Sequence, residues 1–153
     1  ILRPNSFYQN MLWSAESIKT SGQFYLPFGD AKQSLVDVRD LVAVAAKALT
    51  DDGFANQTYE LVGPEGLSYR EIASQLSSVV GKEVTYVPIS NEAAFQGMVD
   101  SGMPEWTAKA LAELYSVFAT GEYAGTNDNI QQILGKPAIT FEQWASDNKA
   151  MFS

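Results

Sequence analysis

Short apolar runs with strand character alternate with amphipathic helical stretches from Ile1 to Pro88, and from Ser90 onward the pattern is helical alone. That switch constrains the fold more than any single motif, because alternating strands and helices build α/β layers while a helical tail must pack beside them. The opening junction carries the most information. Ile1-Leu2 reads as the end of a buried strand, Pro4 fixes its own φ and turns Arg3 away from the helical region, and Phe7, Tyr8, Met11, Leu12, Ala15 and Ile18 then follow at helical spacing, predicting a helix over 6–20. A strand-to-helix loop at the carboxyl edge of an open α/β sheet is where ligands usually sit, although an ordinary turn explains Arg3-Pro4-Asn5 equally simply. A chain that starts in mid-strand without an initiator Met reads as a piece of a longer fold.

Further strands are expected at 24–26, 34–36, 57–62 and 83–89, the last at a sheet edge because Pro88 cannot donate to a ladder. Asp37 is placed to cap a helix whose apolar stripe is Val38, Leu41, Val42, Ala45, Ala46 and Leu49. Ser68 and Glu71 form a capping-box pair ahead of a helix ended by Gly81, and Thr140 with Gln143 repeats the pattern before the terminal helix carrying Phe141, Trp144, Ala145 and Phe152. Pro104 is expected in the first turn of a helix reaching about Thr120, with Trp106, Ala110, Leu114, Val117 and Phe118 as its buried face. Such an aromatic stripe suits core packing, or the wall of a pocket for a flat apolar ligand.

Composition narrows the chemistry. Net charge is −8 and evenly spread, so a phosphate backbone would be repelled and nucleic acid is not expected as a partner. The chain has no His and no Cys, which removes Ser-His-Asp and Cys-His catalysis together with the common zinc sites; no metal site is expected. No apolar run is long enough to span a membrane and no signal-peptide pattern opens the chain, giving a cytoplasmic expectation. Gly63 and Gly66 lack the spacing of a phosphate-binding loop, Asn127-Asp128-Asn129 only partly matches a calcium loop, and no Tyr is followed four residues later by Lys. No residue stands out as a general acid or nucleophile, so no catalytic side chain is assigned.

Leu2-Arg3-Pro4-Asn5-Ser6-Phe7 with Asn10, Asp37-Val38-Arg39-Asp40-Leu41, Tyr59-Glu60-Leu61-Val62-Gly63 and Gly81-Lys82-Glu83-Val84-Thr85-Tyr86 occur in an order that resembles the C-terminal half of NmrA-like atypical short-chain dehydrogenase/reductases, closest to the quinone-oxidoreductase type 2 branch. The resemblance implies an α/β fold, the C-terminal part of a Rossmann-like parallel sheet completed by residues 1–62, with residues 63–153 as a mainly helical lobe over the substrate. It implies NADP or NAD as cofactor, with Arg3, Pro4, Asn5, Ser6 and Phe7 at the nicotinamide end. Phe7, Asn10, Met98, Met103 and Trp106 become candidate contacts to a small quinone-like substrate. The glycine-rich dinucleotide fingerprint of that family is not in this sequence, so the chain alone is expected to be inactive. A dinucleotide-sensing regulator without turnover and a lobe that completes another polypeptide are the alternatives, and homodimerisation stays open.

Overall fold

The computed structural model describes all 153 residues, Ile1–Ser153. In chain order the elements begin with β1 (Leu2–Pro4), a tight 3-10 turn at Tyr8–Ser14, α1 (Ala15–Ser21) and β2 (Gln23–Leu26). β3 (Lys32–Gln33), α2 (Val38–Thr50), β4 (Tyr59–Leu61), β5 (Leu67–Ser68), α3 (Tyr69–Val80) and β6 (Thr85–Pro88) follow. The remainder is helical: α4 (Asn91–Asp100), α5 (Glu105–Phe118), α6 (Asn129–Leu134) and α7 (Phe141–Asp147). This is an α/β fold.

β1 pairs β4 and β2 pairs β6, both parallel, while the short β3 and β5 pair antiparallel. β6 has β2 as its single neighbour, in keeping with Pro88 at its end. The β2–β6 pairing crosses position 62, so main-chain bonds join residues 1–62 to residues 63–153.

The strand expected at 34–36 is a correction. Regular pairing stops at Gln33, and Val36 makes only an isolated parallel bridge to Phe7. Residues 33–37 are nonetheless buried, because this segment distributes its main-chain bonds instead of giving them to one neighbour. Ser34 N–H donates to Tyr123 O (2.9 Å), Gly63 N–H donates to Ser34 O (3.2 Å), and Val36 N–H donates to Ser6 O (2.9 Å).

The first helix arrives in two parts. Tyr8 N–H still donates to Val36 O at 3.1 Å, so the chain leaves the sheet late, winds as a 3-10 turn and becomes α-helical only at Ala15. Tyr8, Met11, Ala15 and Ile18 are buried as their spacing requires. The Ser68–Glu71 capping box is complete, with the Glu71 carboxylate accepting from Ser68 N–H (2.8 Å) and Ser68 Oγ accepting from Glu71 N–H (3.3 Å). At α7 only half the box forms: Thr140 Oγ1 accepts from Gln143 N–H, while the Gln143 side chain donates to Asp147.

Two helices bury a different face from the expected stripe. On α2, Asp40 and Val44 point inward while Val42 and Leu49 are exposed, because the Asp40 carboxylate accepts the Ile139 N–H (2.7 Å) and Val44 packs with Ile130 and Ile133 of α6. On α5, small Ala108 and Ala112 are buried next to α4, and the Asn91 side chain donates to Ala112 O (2.8 Å). That contact turns Trp106, Ala110, Leu114 and Val117 outward.

The larger core lies between α1, α3, α7 and the β2–β6 pair, and is strongly aromatic: Tyr8, Phe141 and Trp144 meet with ring centroids 5.3–5.9 Å apart. The smaller core sits under α2 and α6. Leu35 belongs to the first and Val36 to the second, so one buried segment joins them.

Candidate functional site

At the carboxyl end of β1 the chain opens into a cavity of about 740 Å³. Arg3, Pro4, Asn5, Ser6, Phe7 and Asn10 line one side of it; Glu60 of β4 and Val62 just after it extend that side. Leu114 and Phe118 from α5, then Glu122, Tyr123 and Gly125 to Asn127 from the following loop, form the other wall.

Asn5 holds the two walls together. Its side-chain NH2 donates to Ser34 O (3.2 Å), Ser34 Oγ (3.0 Å) and Tyr123 O (3.1 Å), and its Oδ1 accepts from Ser6 N–H (2.8 Å). Ser34 Oγ donates to the same Tyr123 carbonyl at 3.1 Å. The Tyr123 ring meets Phe118 edge-on at 5.1 Å and 88°. The loop after α5 is therefore gripped at its backbone by the loop after β1, and it presents an aromatic wall.

Asn127 and Asn129 both donate side-chain N–H bonds to Glu60 O, at 3.2 and 2.9 Å, fixing the end of this loop against β4. Their amides hold backbone, which accounts for the partial likeness to a calcium loop. The glycines at 63 and 66 have a packing reason. A Cβ at Gly63 would run into the Leu35 carbonyl oxygen, and one at Gly66 would approach the Ala124 carbonyl oxygen to 2.6 Å.

Below the cavity floor, Asp37 caps α2 and binds Arg39, which reaches on to Asp147 (2.7 Å). Burial pushes the Asp37 carboxyl up, but hydrogen bonds from Arg39 and Gln9 outweigh it and hold the carboxyl below its usual range. Asp40 has the opposite balance: burial raises it, with the Ile139 N–H and Lys136 only partly compensating. Tyr8, buried under the same junction, is raised by burial and by the nearby carboxylates of Glu65, Asp37 and Asp40. Neither Asp37, Asp40 nor Tyr8 lines the cavity.

The structure thus brings Arg3, Pro4, Asn5, Ser6, Phe7 and Asn10 onto one cavity. Met98, Met103 and Trp106 are not among its lining residues; Met98 is half-buried on α4 and Trp106 is 76% exposed at the start of α5. Leu114 and Phe118 of the second wall belong to the aromatic stripe that suited a pocket wall, whereas the loop that completes the wall escaped sequence reading. Residues 121–129 look like polar linker, and the pinning of Asn127 and Asn129 on Glu60 O shows only in the structure.

The NmrA-like family matches residues 1–145, and the chain belongs to that family. It is 42% identical to the NAD(P)H azoreductase of Xenophilus azovorans over 151 residues, which are 99% of this chain and 53% of that protein. Among solved structures it is similar to the NADPH-dependent quinone oxidoreductase of Escherichia coli, with a TM-score of 0.85 and 26% identity over 94% of this chain and 53% of the other. The triphenylmethane reductase of Citrobacter sp. gives 0.83 and 28% over 96% of this chain and 51% of its own. The chain spans about half the length of the curated relatives it matches.

Proposed function

We propose that this chain is the substrate-facing portion of an NAD(P)H-dependent oxidoreductase that reduces flat, conjugated acceptors, quinones among them. The observation that carries this reading is the cavity built on Arg3–Phe7 and roofed by Leu114, Phe118 and Tyr123: a wide cleft of mostly polar lining in which Pro4 and Phe7 on one wall and Leu114, Phe118 and Tyr123 on the other supply the apolar surface. Its residues fit one end of a dinucleotide. Phe7 and Pro4 offer surfaces for a planar ring, the Ser6 hydroxyl offers a polar group at its rim, and Asn5, its amide bound to Ser34, Tyr123 and Ser6, shapes the wall between them. Arg3, which enters none of the chain's ion pairs, supplies a cation for a carboxamide or phosphate. The names of the azoreductase, quinone reductase and triphenylmethane reductase relatives support the same reaction class.

The dinucleotide, when bound, supplies a hydride. The chain's own part is to align the acceptor and to exclude water from its faces. Phe7, with Leu114, Phe118 and Tyr123 opposite, is the residue proposed to hold the acceptor ring, with Asn10 at its edge. A quinone gaining a hydride needs one proton to become the hydroquinone, and water at the cavity mouth provides it without a dedicated acid.

The test is NADPH oxidation by the whole protein with a naphthoquinone and with an azo dye. Phe7→Ala is expected to lower kcat/KM about tenfold or more, while exposed Lys109→Ala stays within about twofold of wild type. Tight NADPH binding with no turnover of either acceptor would instead make the protein a dinucleotide sensor.

A further inference from the structure

A second, smaller pocket adjoins the main cavity, and Ser6, Phe7, Asn10, Leu114 and Phe118 line both. Its volume is about 100 Å³, and eleven of its fourteen lining residues are hydrophobic. Phe28 and Tyr69 form a buried aromatic floor, their rings stacked at 4.8 Å and 23°. Tyr115 meets Phe28 edge-on at 5.1 Å and 77°. Trp13, 70% exposed, and half-buried Leu111 complete the wall.

Its position beside the main cavity separates this pocket from imperfect packing. Protein interiors leave few voids larger than a water molecule, yet this one lies directly against the cleft. Tyr69 is 5% exposed, so its ring and that of Phe28 present an apolar floor. A closed apolar cavity of ~150 Å³ takes up benzene in another protein; this pocket is smaller, about 100 Å³, but shares five lining residues with the cleft, so it suits one aromatic ring that enters from the cleft and stays partly within it.

We propose that the side pocket is a subsite for a second aromatic ring of the acceptor, so that this protein selects two-ring acceptors over single-ring ones. The proposal rests on the reductase reading and adds the substrate class. The ring to be reduced occupies the polar-lined main cavity, and the attached aryl ring lies between Trp13, Leu111 and the Phe28–Tyr69 stack.

Phenylbenzoquinone and dimethylbenzoquinone, both uncharged, differ in the relevant ring. With the whole protein, KM is measured with NADPH and Kd by calorimetry with NADP in its oxidised form. Phenylbenzoquinone is expected to bind about tenfold tighter, the factor that roughly 50 Å² of buried apolar surface provides. Leu111→Phe fills the pocket and should reduce that preference to about twofold without changing KM for dimethylbenzoquinone. Trp13→Ala, at an exposed position that folding does not depend on, should reduce the preference in the same direction. Equal affinities in the wild type, or equal losses for both quinones in Leu111→Phe, would overturn the subsite. Turnover of both quinones without ring selectivity overturns the subsite and leaves the reductase; ring-selective binding without turnover supports the subsite and removes the reductase reading.

Discussion

Single residues at the junction are decided by hydrogen-bond bookkeeping. Asn5 faces three oxygens with its NH2 group, at Ser34 O, Ser34 Oγ and Tyr123 O, so an isosteric carboxylate would put acceptor against acceptor. Asn5→Asp should therefore destabilise the protein by about 1–2 kcal/mol more than Asn5→Ala, read by urea denaturation; equal losses would mean that the Tyr123 grip contributes little. Glu71 is a cleaner titration. Its carboxylate accepts from Ser68 N–H first, then from Lys32 and the Ser68 hydroxyl, and its pKa falls from 4.5 to about 2. A depressed carboxylate adds stability above its unfolded value and loses it as pH falls through the folded one. Wild type and Glu71→Gln should hence differ most in Tm above pH 4.5 and converge as pH approaches 2; a gap that persists at acid pH would assign the effect to packing.

At the level of elements, glycines mark where backbones meet and where helices end, and the two uses carry different costs. Gly81 ends α3 at φ 80° with open space around it, so Gly81→Ala should cost about 1–2 kcal/mol. Gly63 connects β4 to the loop before β5, and its missing Cβ lets Leu35 O lie against the backbone. Gly63→Ala should cost about 3 kcal/mol or more by thermal melts, because the carbonyl it strikes belongs to the segment joining the two cores. Both glycines look alike in the sequence, as ends of periodic runs. The helix faces show the same limit: α2 and α5 carry Ala and Val around much of their circumference, so periodicity permits several buried faces. The Asp40 bond to Ile139 and the Ala108–Ala112 contact with α4 select among them.

Across the whole molecule, the adjacency of Leu35 and Val36 predicts that the two cores unfold together. Leu76→Ala in the larger core and Leu61→Ala in the smaller should each cost about 2–5 kcal/mol and shift one common transition, seen alike by aromatic circular dichroism and tryptophan fluorescence. Two separate transitions in either variant would show that the buried segment does not couple them. The α/β class, the capping of α2 and α3 and the buried face of α7 were legible in the chain, because propensity, capping and periodicity act over a few neighbouring residues; that Arg3–Phe7 and Asn10 share one cavity is a finding of the structure. Tertiary structure alone decided the fate of 34–36, the inward faces of α2 and α5, and the loop that completes the second wall of the cavity. Those depend on bonds between residues far apart in sequence, such as Asn5 with Tyr123 and Asn129 with Glu60, and local pattern carries no record of which distant carbonyl an amide will meet.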